Sequence, residues 1–185
     1  MPDAENITQH IIAFAEGEQI ELGYIVDALY VQLCEMANIQ LNRLNPESIA
    51  PHELVHELYL KFSKALSVNA NGRMHFLAIA ATAMRQLIID QLKGKNREKR
   101  GGGLMATTLS DTKLPVHDNA IEIIAVNDAI KKLKSIEPKL ASTVECRYFA
   151  GYSEQETADA LGVNVRTVRR YWKRAKRWLV LELLD

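Results

Sequence analysis

The chain has 185 residues with 23 Lys or Arg and 23 Asp or Glu, so its formal net charge at pH 7 is zero. This length gives room for one domain or two small ones with apolar cores. The first ten residues are acidic where a signal peptide would be basic, and no apolar run is long enough to span a bilayer. We therefore expect a cytoplasmic protein that is neither exported nor inserted into a membrane.

Charge is strongly segregated along the sequence. Residues 1–72 hold three Lys or Arg against ten Asp or Glu, whereas residues 73–100 hold seven against two. Residues 127–185 hold twelve against eight. Because separate basic blocks attract polyanions, this pattern predicts contact with nucleic acid at two places.

The two cysteines, Cys34 and Cys146, are far apart, and each lies in an apolar helical pattern. No CxxC pair or Cys/His cluster accompanies them, so the sequence indicates neither a zinc site nor a disulfide framework. We expect both thiols to pack in cores in a reducing compartment, and we expect no metal or cofactor.

Apolar residues with a period of 3.6 predict four helices in the N-terminal part. Asn45-Pro46 ends the second, because proline disfavours the α conformation in the residue before it. Pro51 suits the first turn of the third helix, and the Asn- and Gly-containing loop 68–73 precedes the fourth. The fourth helix has an apolar first half and a basic end. The predicted helices cover residues 4–16, 19–44, 51–66 and 74–100.

A flexible linker is predicted over residues 98–122, which contain Gly, Thr, Ser and Asp without helical periodicity. A second helical part begins near Ile123, and Pro138 can start a new helix after one that ends at Ile136 or Glu137. No strand-like alternation of useful length appears. The predicted fold class is all-α, with a domain over residues 1–97, the linker, and a second domain over residues 123–185.

The stretch 146–178 predicts a helix-turn-helix. Ser153 and Glu156 have the spacing of a capping box, and Gly162 suits a tight turn because it tolerates a left-handed backbone. Asn164 can cap the helix that follows. Two helices joined by a short Gly-containing turn form the DNA-reading unit of many proteins.

The second helix of this unit is strongly basic. Residues 164–177 include seven Lys or Arg and no acid. A basic run alone fits a solvated helix face equally well, but together with the turn and caps it favours nucleic-acid contact. Arginine can pair bidentately with guanine in the major groove, whereas later residues on such a helix hold phosphates. The expected base readers are Arg166, Thr167, Arg169 and Arg170, and the expected phosphate contacts are Lys173 and Arg174.

Two further motifs follow one another in the N-terminal part. LVHExYLK occupies residues 54–61, and HFxAxAxxAMRxxxxD occupies residues 75–90. With these motifs and the helix-turn-helix, nearly the whole chain resembles a sigma factor of the extracytoplasmic-function (ECF) type in the sigma-70 family. The resemblance implies an alternative sigma factor that binds core RNA polymerase and directs promoter-specific initiation, with no enzymatic activity of its own.

The resemblance also implies roles for residues of the first domain, called region two in that family. Region two docks on the β′ clamp of the polymerase and opens the minus-ten element, where loop 69–73 captures a flipped base. Phe76 would stack on exposed bases or pack in the core. The implied polymerase contacts are Glu53, His56, Glu57, Leu60 and Lys61. The implied DNA contacts are Asn69, Asn71, Arg73, His75, Arg85, Lys93 and Arg97. The second domain corresponds to region four, which reads the minus-thirty-five element and meets the β flap.

The chain departs from the wider family at residues 49–53, where most members carry an Asp-Ala-Glu-Asp-like cluster. Only Glu53 and Glu57 remain, so the electrostatic part of clamp docking should be weaker. Our hypothesis is that a Ser/Thr kinase adds charge at Ser63 or Ser48, since a phosphate carries roughly −1.5 to −2 charges. The alternative is that Ser63 is a plain exposed serine. Control by an anti-sigma protein or by expression level alone also stays open.

Two other classes of protein compete with this interpretation. A stand-alone helix-turn-helix regulator would bind a palindrome as a dimer without polymerase, but the sequence has no clear dimerisation heptad or ligand domain. Residues 52–56, HELVH, match the bare motif of zinc peptidases. No third ligand stands out for that site, and both basic blocks would be unexplained.

Overall fold

The computed structural model describes residues 4–18, 21–44, 49–65, 68–101 and 116–184. Within those ranges the chain is helical and contains no strand, which confirms the all-α prediction. A π-helical turn, Glu145–Phe149, joins the sixth and seventh α-helices and was not predicted. The helices are α1 (Ala4–Ala15), α2 (Glu21–Leu44), α3 (Pro51–Ser63), α4 (Arg73–Gly101), α5 (Val116–Ile136), α6 (Pro138–Val144), α7 (Glu154–Leu161) and α8 (Val165–Leu184).

Proline and glycine mark the helix ends as their chemistry requires. Pro51 is the first residue of α3 and Pro138 the first of α6, where the missing amide proton costs no hydrogen bond. Helix α4 ends at Gly101. Helix α5 begins at Val116, so helical residues extend into both ends of the segment predicted as a linker. Residues 102–115 lie outside the described part of the chain.

Helices α1 to α4 pack around one apolar core. Phe62 and Phe76 meet edge to face with their ring centres 5.8 Å apart, and Phe76 is fully buried. Phe76 is therefore a core residue here and is not placed to stack on a base. Gln40 donates a hydrogen bond to the carbonyl oxygen of Ala81 at 2.9 Å, which ties α2 to α4. Further fully buried side chains of this core include Ile11, Phe14, Leu33, Leu54 and Met84.

Helices α5 to α8 form the second helical part, with Ile130, Leu133 and Leu140 buried between them. On its surface, Lys132 of α5 forms an ion pair with Glu182 of α8 at 2.6 Å. Both helices therefore contribute to one packed unit. None of the helices in the described ranges combines the length and apolar character that a membrane span needs.

The two helical parts pack against each other through α4, the π-helical turn and α7. The Tyr152 hydroxyl donates a hydrogen bond to the carbonyl oxygen of Met74 at 3.0 Å. The Arg43 guanidinium lies 4.4 Å from the centre of the Tyr148 ring. Cys146 is buried beside this contact, and burial raises the pKa of its thiol to about 12. We call this surface the interdomain contact.

Candidate nucleic-acid and polymerase interfaces

The helix-turn-helix has the predicted caps and turn. The Ser153 amide donates to Glu156 Oε2 at 2.8 Å, and the Glu156 amide donates to Ser153 Oγ at 3.2 Å. The hydrogen bonds from the Ser153 backbone and side chain hold the pKa of the Glu156 carboxyl below its ordinary value. Gly162 ends α7 with a φ of 62°, in the left-handed region that favours glycine.

Helix α8 begins after a second cap, in which the Thr167 amide donates to Asn164 Oδ1 at 2.8 Å. Val168 and Ala175 are fully buried two turns apart, which fixes the inward face of α8. The opposite face then has to point to solvent. Thr167 and Trp172 are half-buried. The exposed basic residues include Arg166, Arg169, Arg170, Lys173 and Arg174.

Two cations of α8 contact acids of their own domain. Arg169 Nε donates to Glu154 Oε2 at 2.7 Å, and an Arg174 Nη atom donates to Glu137 Oε1 at 2.7 Å. The Arg169 side chain is 67 % exposed, and surface ion pairs of this kind contribute little net free energy. DNA phosphates or base edges can therefore replace these acids at low cost.

The loop before α4 brings several predicted DNA contacts together. Asn69 and Asn71 are exposed, and Asn71 Oδ1 lies 2.8 Å from His75 Nδ1. Arg73 is half-buried, and its Nε is buried with no hydrogen-bond partner among the described residues. The Arg73 charge acts on Glu156 of α7, so this end of α4 faces the second helical part.

The remaining predicted DNA contacts of α4 lie elsewhere. Arg85 is 3 % exposed and forms an ion pair with Glu145, so it does not share a surface with Asn69 and Asn71. Lys93 Nζ is 3.8 Å from Asp128 Oδ1 of α5. The side chain of Arg97 lies outside the described part of the structure.

Helix α3 presents most of the predicted polymerase contacts. Glu53, His56 and Glu57 are exposed and Leu60 is half-buried. Lys61 Nζ donates to Gln86 Oε1 at 3.3 Å and is turned toward α4 instead. Ser63, the last residue of α3, is exposed, and its hydroxyl donates to the carbonyl oxygen of Leu60 at 3.0 Å. Ser48 is outside the described residues.

A groove of about 570 Å³ lies between α2 and α3. Its lining includes Asp27, Tyr30, His52, His56 and Tyr59, so both histidines of the HELVH sequence face it. Nowhere in the described ranges do three or more His, Cys, Asp or Glu side chains come together as metal ligands. A zinc peptidase would need a third ligand that these residues do not supply.

A family model described as ECF sigma factor matches residues 4–185. The chain belongs to the ECF sigma factor family. No curated protein matches the chain. As an ECF sigma factor it is a DNA-binding transcription initiation factor that works with core RNA polymerase and promoter DNA, and the family is not a known class of enzyme.

Sequence reasoning about this sigma factor missed the residues that join its two helical parts. Glu145 is a lone acid in an otherwise largely apolar stretch, 140–150, and the structure buries it together with Asn127. A buried acid requires a partner, so its position in that stretch was a usable signal. Its partner Arg85 was instead among the DNA contacts that the resemblance implied.

Proposed function

We propose that the chain is an alternative sigma factor with two promoter-reading domains. Helix α8 reads the minus-thirty-five element through Arg166, Thr167, Arg169 and Arg170, while Lys173 and Arg174 hold phosphates. The observation that carries this proposal is the exposed basic face of a doubly capped α8 in a chain whose family match spans residues 4–185. The second helical part also meets the β flap of the polymerase.

The loop before α4 serves the minus-ten element in this proposal. Exposed amides at Asn69 and Asn71 are suited to the Watson–Crick edge of a flipped base, and Arg73 and His75 lie beside them. Such a loop reads single-stranded DNA, so it acts after the duplex begins to open. Base contacts therefore come from two separate surfaces on one chain. This agrees with the two basic blocks of the sequence, which predict nucleic-acid contact at two places.

Helix α3 docks on the β′ clamp of core polymerase. Its exposed face carries Glu53 and Glu57, with His56 between them and the apolar edge of Leu60 beside them. Glu53 also accepts a hydrogen bond from the Ala50 amide at 2.8 Å, which holds the start of α3 in place. With only two acids, this docking relies on shape and apolar contact more than on charge.

Charge reversal tests the docking face. In a titration of the fluorescently labelled protein with core RNA polymerase, the Glu53→Lys/Glu57→Lys variant should bind about tenfold more weakly, a typical cost of losing two favourable surface charges. The matched control is Glu16→Lys/Glu18→Lys, which makes the same charge change at two exposed acids after α1. Equal losses in both variants, or none in either, would place the docking face elsewhere. Dimers that bind a palindrome without core polymerase would favour the stand-alone regulator.

We further propose that phosphorylation of Ser63 by a Ser/Thr kinase strengthens docking. The exposure of Ser63 at the end of α3 supports this idea, because a kinase can reach it. Negative charge is disfavoured at a helix C-terminus, but the exposed Lys64 next to Ser63 offsets that cost. The added charge then restores part of what residues 49–53 lack.

The test compares promoter activity in cells and core binding in vitro. Ser63→Ala should lower activity in cells and Ser63→Glu should retain it, while Ser63→Glu binds core more tightly than the unmodified protein. Ser135 provides a matched control, since it is exposed and its hydroxyl also donates to a carbonyl three residues earlier, Lys132 O, at 2.8 Å. Unchanged activity of Ser63→Ala would remove the kinase proposal and leave the sigma-factor proposal standing.

A further inference from the structure

The interdomain contact centres on one buried guanidinium. Arg85 Nε donates to Glu145 Oε2 at 3.1 Å, and a terminal nitrogen of the same group donates to Glu145 Oε1. The other terminal nitrogen donates to Asn127 Oδ1. The Arg85 guanidinium also lies 5.1 Å from the centre of the Phe149 ring. Arg85 comes from α4, whereas all three partners come from the second helical part.

These side chains hydrogen-bond to one another only when the two helical parts are together. Arg85, Asn127 and Glu145 are 3 %, 1 % and 6 % exposed. A buried charge without its partner carries a large desolvation penalty, whereas the two-point Arg–carboxylate pair meets the hydrogen-bonding needs of both groups. The arrangement is therefore specific: sliding one part against the other would leave a buried charge without its counterion.

The same contact covers the beginning of α4. The backbone carbonyl of Met74 is bonded to Tyr152, and the Arg73 Nε is buried. His75 lines a cavity of about 250 Å³ together with Glu145 and Cys146. By contrast, the basic residues of α8 point to solvent. Arg73 and His75 are thus partly covered by the second helical part, whereas Asn69, Asn71 and the basic face of α8 are exposed.

We propose that Arg85, Asn127 and Glu145 form a latch that holds the free sigma factor in a closed state. In this state the second helical part masks the start of α4, and minus-ten DNA gains access after the latch opens. The inference rests on the proposed DNA-binding role of Arg73 and His75. Opening also exposes the Arg85 guanidinium to water, where it is free to bind a DNA phosphate.

The covalent link between the two helical parts favours the closed state. The two parts belong to one chain, so closing is intramolecular, and a short tether raises the effective concentration of one part at the other to roughly millimolar levels. A partner that opens the latch must bind the open state more tightly than the closed state. Core polymerase and promoter DNA, acting on separate domains, can both provide that difference in affinity.

Glu145→Gln tests the latch in the full-length chain, because it keeps the shape of the side chain and removes its charge. We expect the ratio of closed to open molecules to fall about a hundredfold, the scale set by breaking a buried ion pair. Small-angle X-ray scattering should then show a larger radius of gyration. In a Cys34→Ser background, the buried Cys146 thiol should react faster with a disulfide reagent by a similar factor.

Two more variants keep the test decisive. Tyr152→Phe removes only the hydrogen bond to Met74 and should lower the ratio of closed to open molecules by a smaller factor. If Glu145→Gln does not fold, this variant tests the latch in its place. Glu182→Gln breaks the exposed pair with Lys132 inside the second helical part and should leave both readouts unchanged. A folded Glu145→Gln variant with the scattering and thiol reactivity of the parent would overturn the latch.

A transcription readout separates this inference from the proposed function. At limiting core polymerase, the Glu145→Gln variant should support several-fold more transcription initiation than the parent chain, because less of the free energy of polymerase binding is needed to open the latch. Opening without any gain in initiation would overturn the masking role. No initiation by either protein would contradict the sigma-factor proposal, while the scattering result would still decide whether the latch exists.

Discussion

Arg85 and Glu145 are separated by 60 positions in the sequence, yet their side chains form a buried two-point ion pair between α4 and the π-helical turn. Around this pair, Asn127 and Phe149 complete a polar and aromatic shell. The pair links α4 to the second helical part of the chain. In the latch that we propose, this one guanidinium couples the arrangement of the two parts to promoter access.

Removing the charge of Arg85 should cost much more stability than removing a surface charge. Arg85→Met leaves Glu145 buried without its counterion, so we expect the free energy of unfolding to fall by about 3–5 kcal/mol. Lys132→Met breaks an exposed pair and should cost less than about 1 kcal/mol. Urea denaturation followed by circular dichroism measures both. Equal costs would show that Glu145 finds water or another partner when Arg85 is absent.

Gly162 should resist substitution although its surroundings are open. No atom lies within 4 Å of an added Cβ, so the cost of Gly162→Ala comes from the backbone φ of 62° alone and should be about 1–2 kcal/mol. Gly23 in α2 has equally open surroundings but an ordinary helical backbone. Gly23→Ala should therefore stabilise the chain by about 0.5–1 kcal/mol. Thermal denaturation of the two variants should shift in opposite directions.

The capping box of α7 should make the stability of the protein depend on pH. The folded pKa of Glu156 is lowered, so its contribution to stability is present above the ordinary pKa of 4.5 and is lost as pH falls through the folded value. Ser153→Ala removes the hydroxyl hydrogen bond and keeps the backbone one, so the pKa of Glu156 should rise part of the way. An NMR titration of the Glu156 carboxyl measures this rise. An unchanged pKa would mean that the Ser153 hydroxyl does not interact with the carboxylate.

Base readers and phosphate contacts on α8 should respond differently to substitution. Arg166→Ala should relax specificity at one base pair of the minus-thirty-five element and cost about 1–3 kcal/mol on the preferred sequence. Lys173→Ala should weaken binding to all sequences and lower the salt dependence. Lys176, whose ammonium lies 5.5 Å from the Trp172 ring centre, is a basic control on the same helix. Binding of the polymerase holoenzyme to promoter variants at several salt concentrations distinguishes these effects.

Local chemistry made the helices and the helix-turn-helix predictable. Pro51, Pro138, Gly162 and the pair Ser153 and Glu156 act within a few residues of their own position, so their effects can be read from the sequence. The start of α3, the end of α5 and the start of α6 follow from such signals. The π-helical turn does not, because no short-range pattern distinguishes it from an ordinary helical turn.

Contacts between distant residues set the limit of that reasoning. The family resemblance implied a DNA contact for Arg85, and only the fold shows that Glu145 reaches it. An aromatic residue such as Phe76 can either stack on exposed bases or pack in the core. Its edge-to-face contact with Phe62 shows that Phe76 packs in the core. Lys61 was expected on the docking face, but its side chain donates a hydrogen bond to Gln86 of α4 and is turned away from that face. Each of these outcomes depends on tertiary packing.

In-vitro transcription tests the central claim most directly. A library of genomic fragments is transcribed by purified core RNA polymerase with and without this protein, and the start sites are mapped. We predict new start sites that depend on the protein and share two sequence elements, one near minus ten and one near minus thirty-five. No protein-dependent start sites, together with tight binding of the protein alone to specific duplex DNA, would contradict the sigma-factor account.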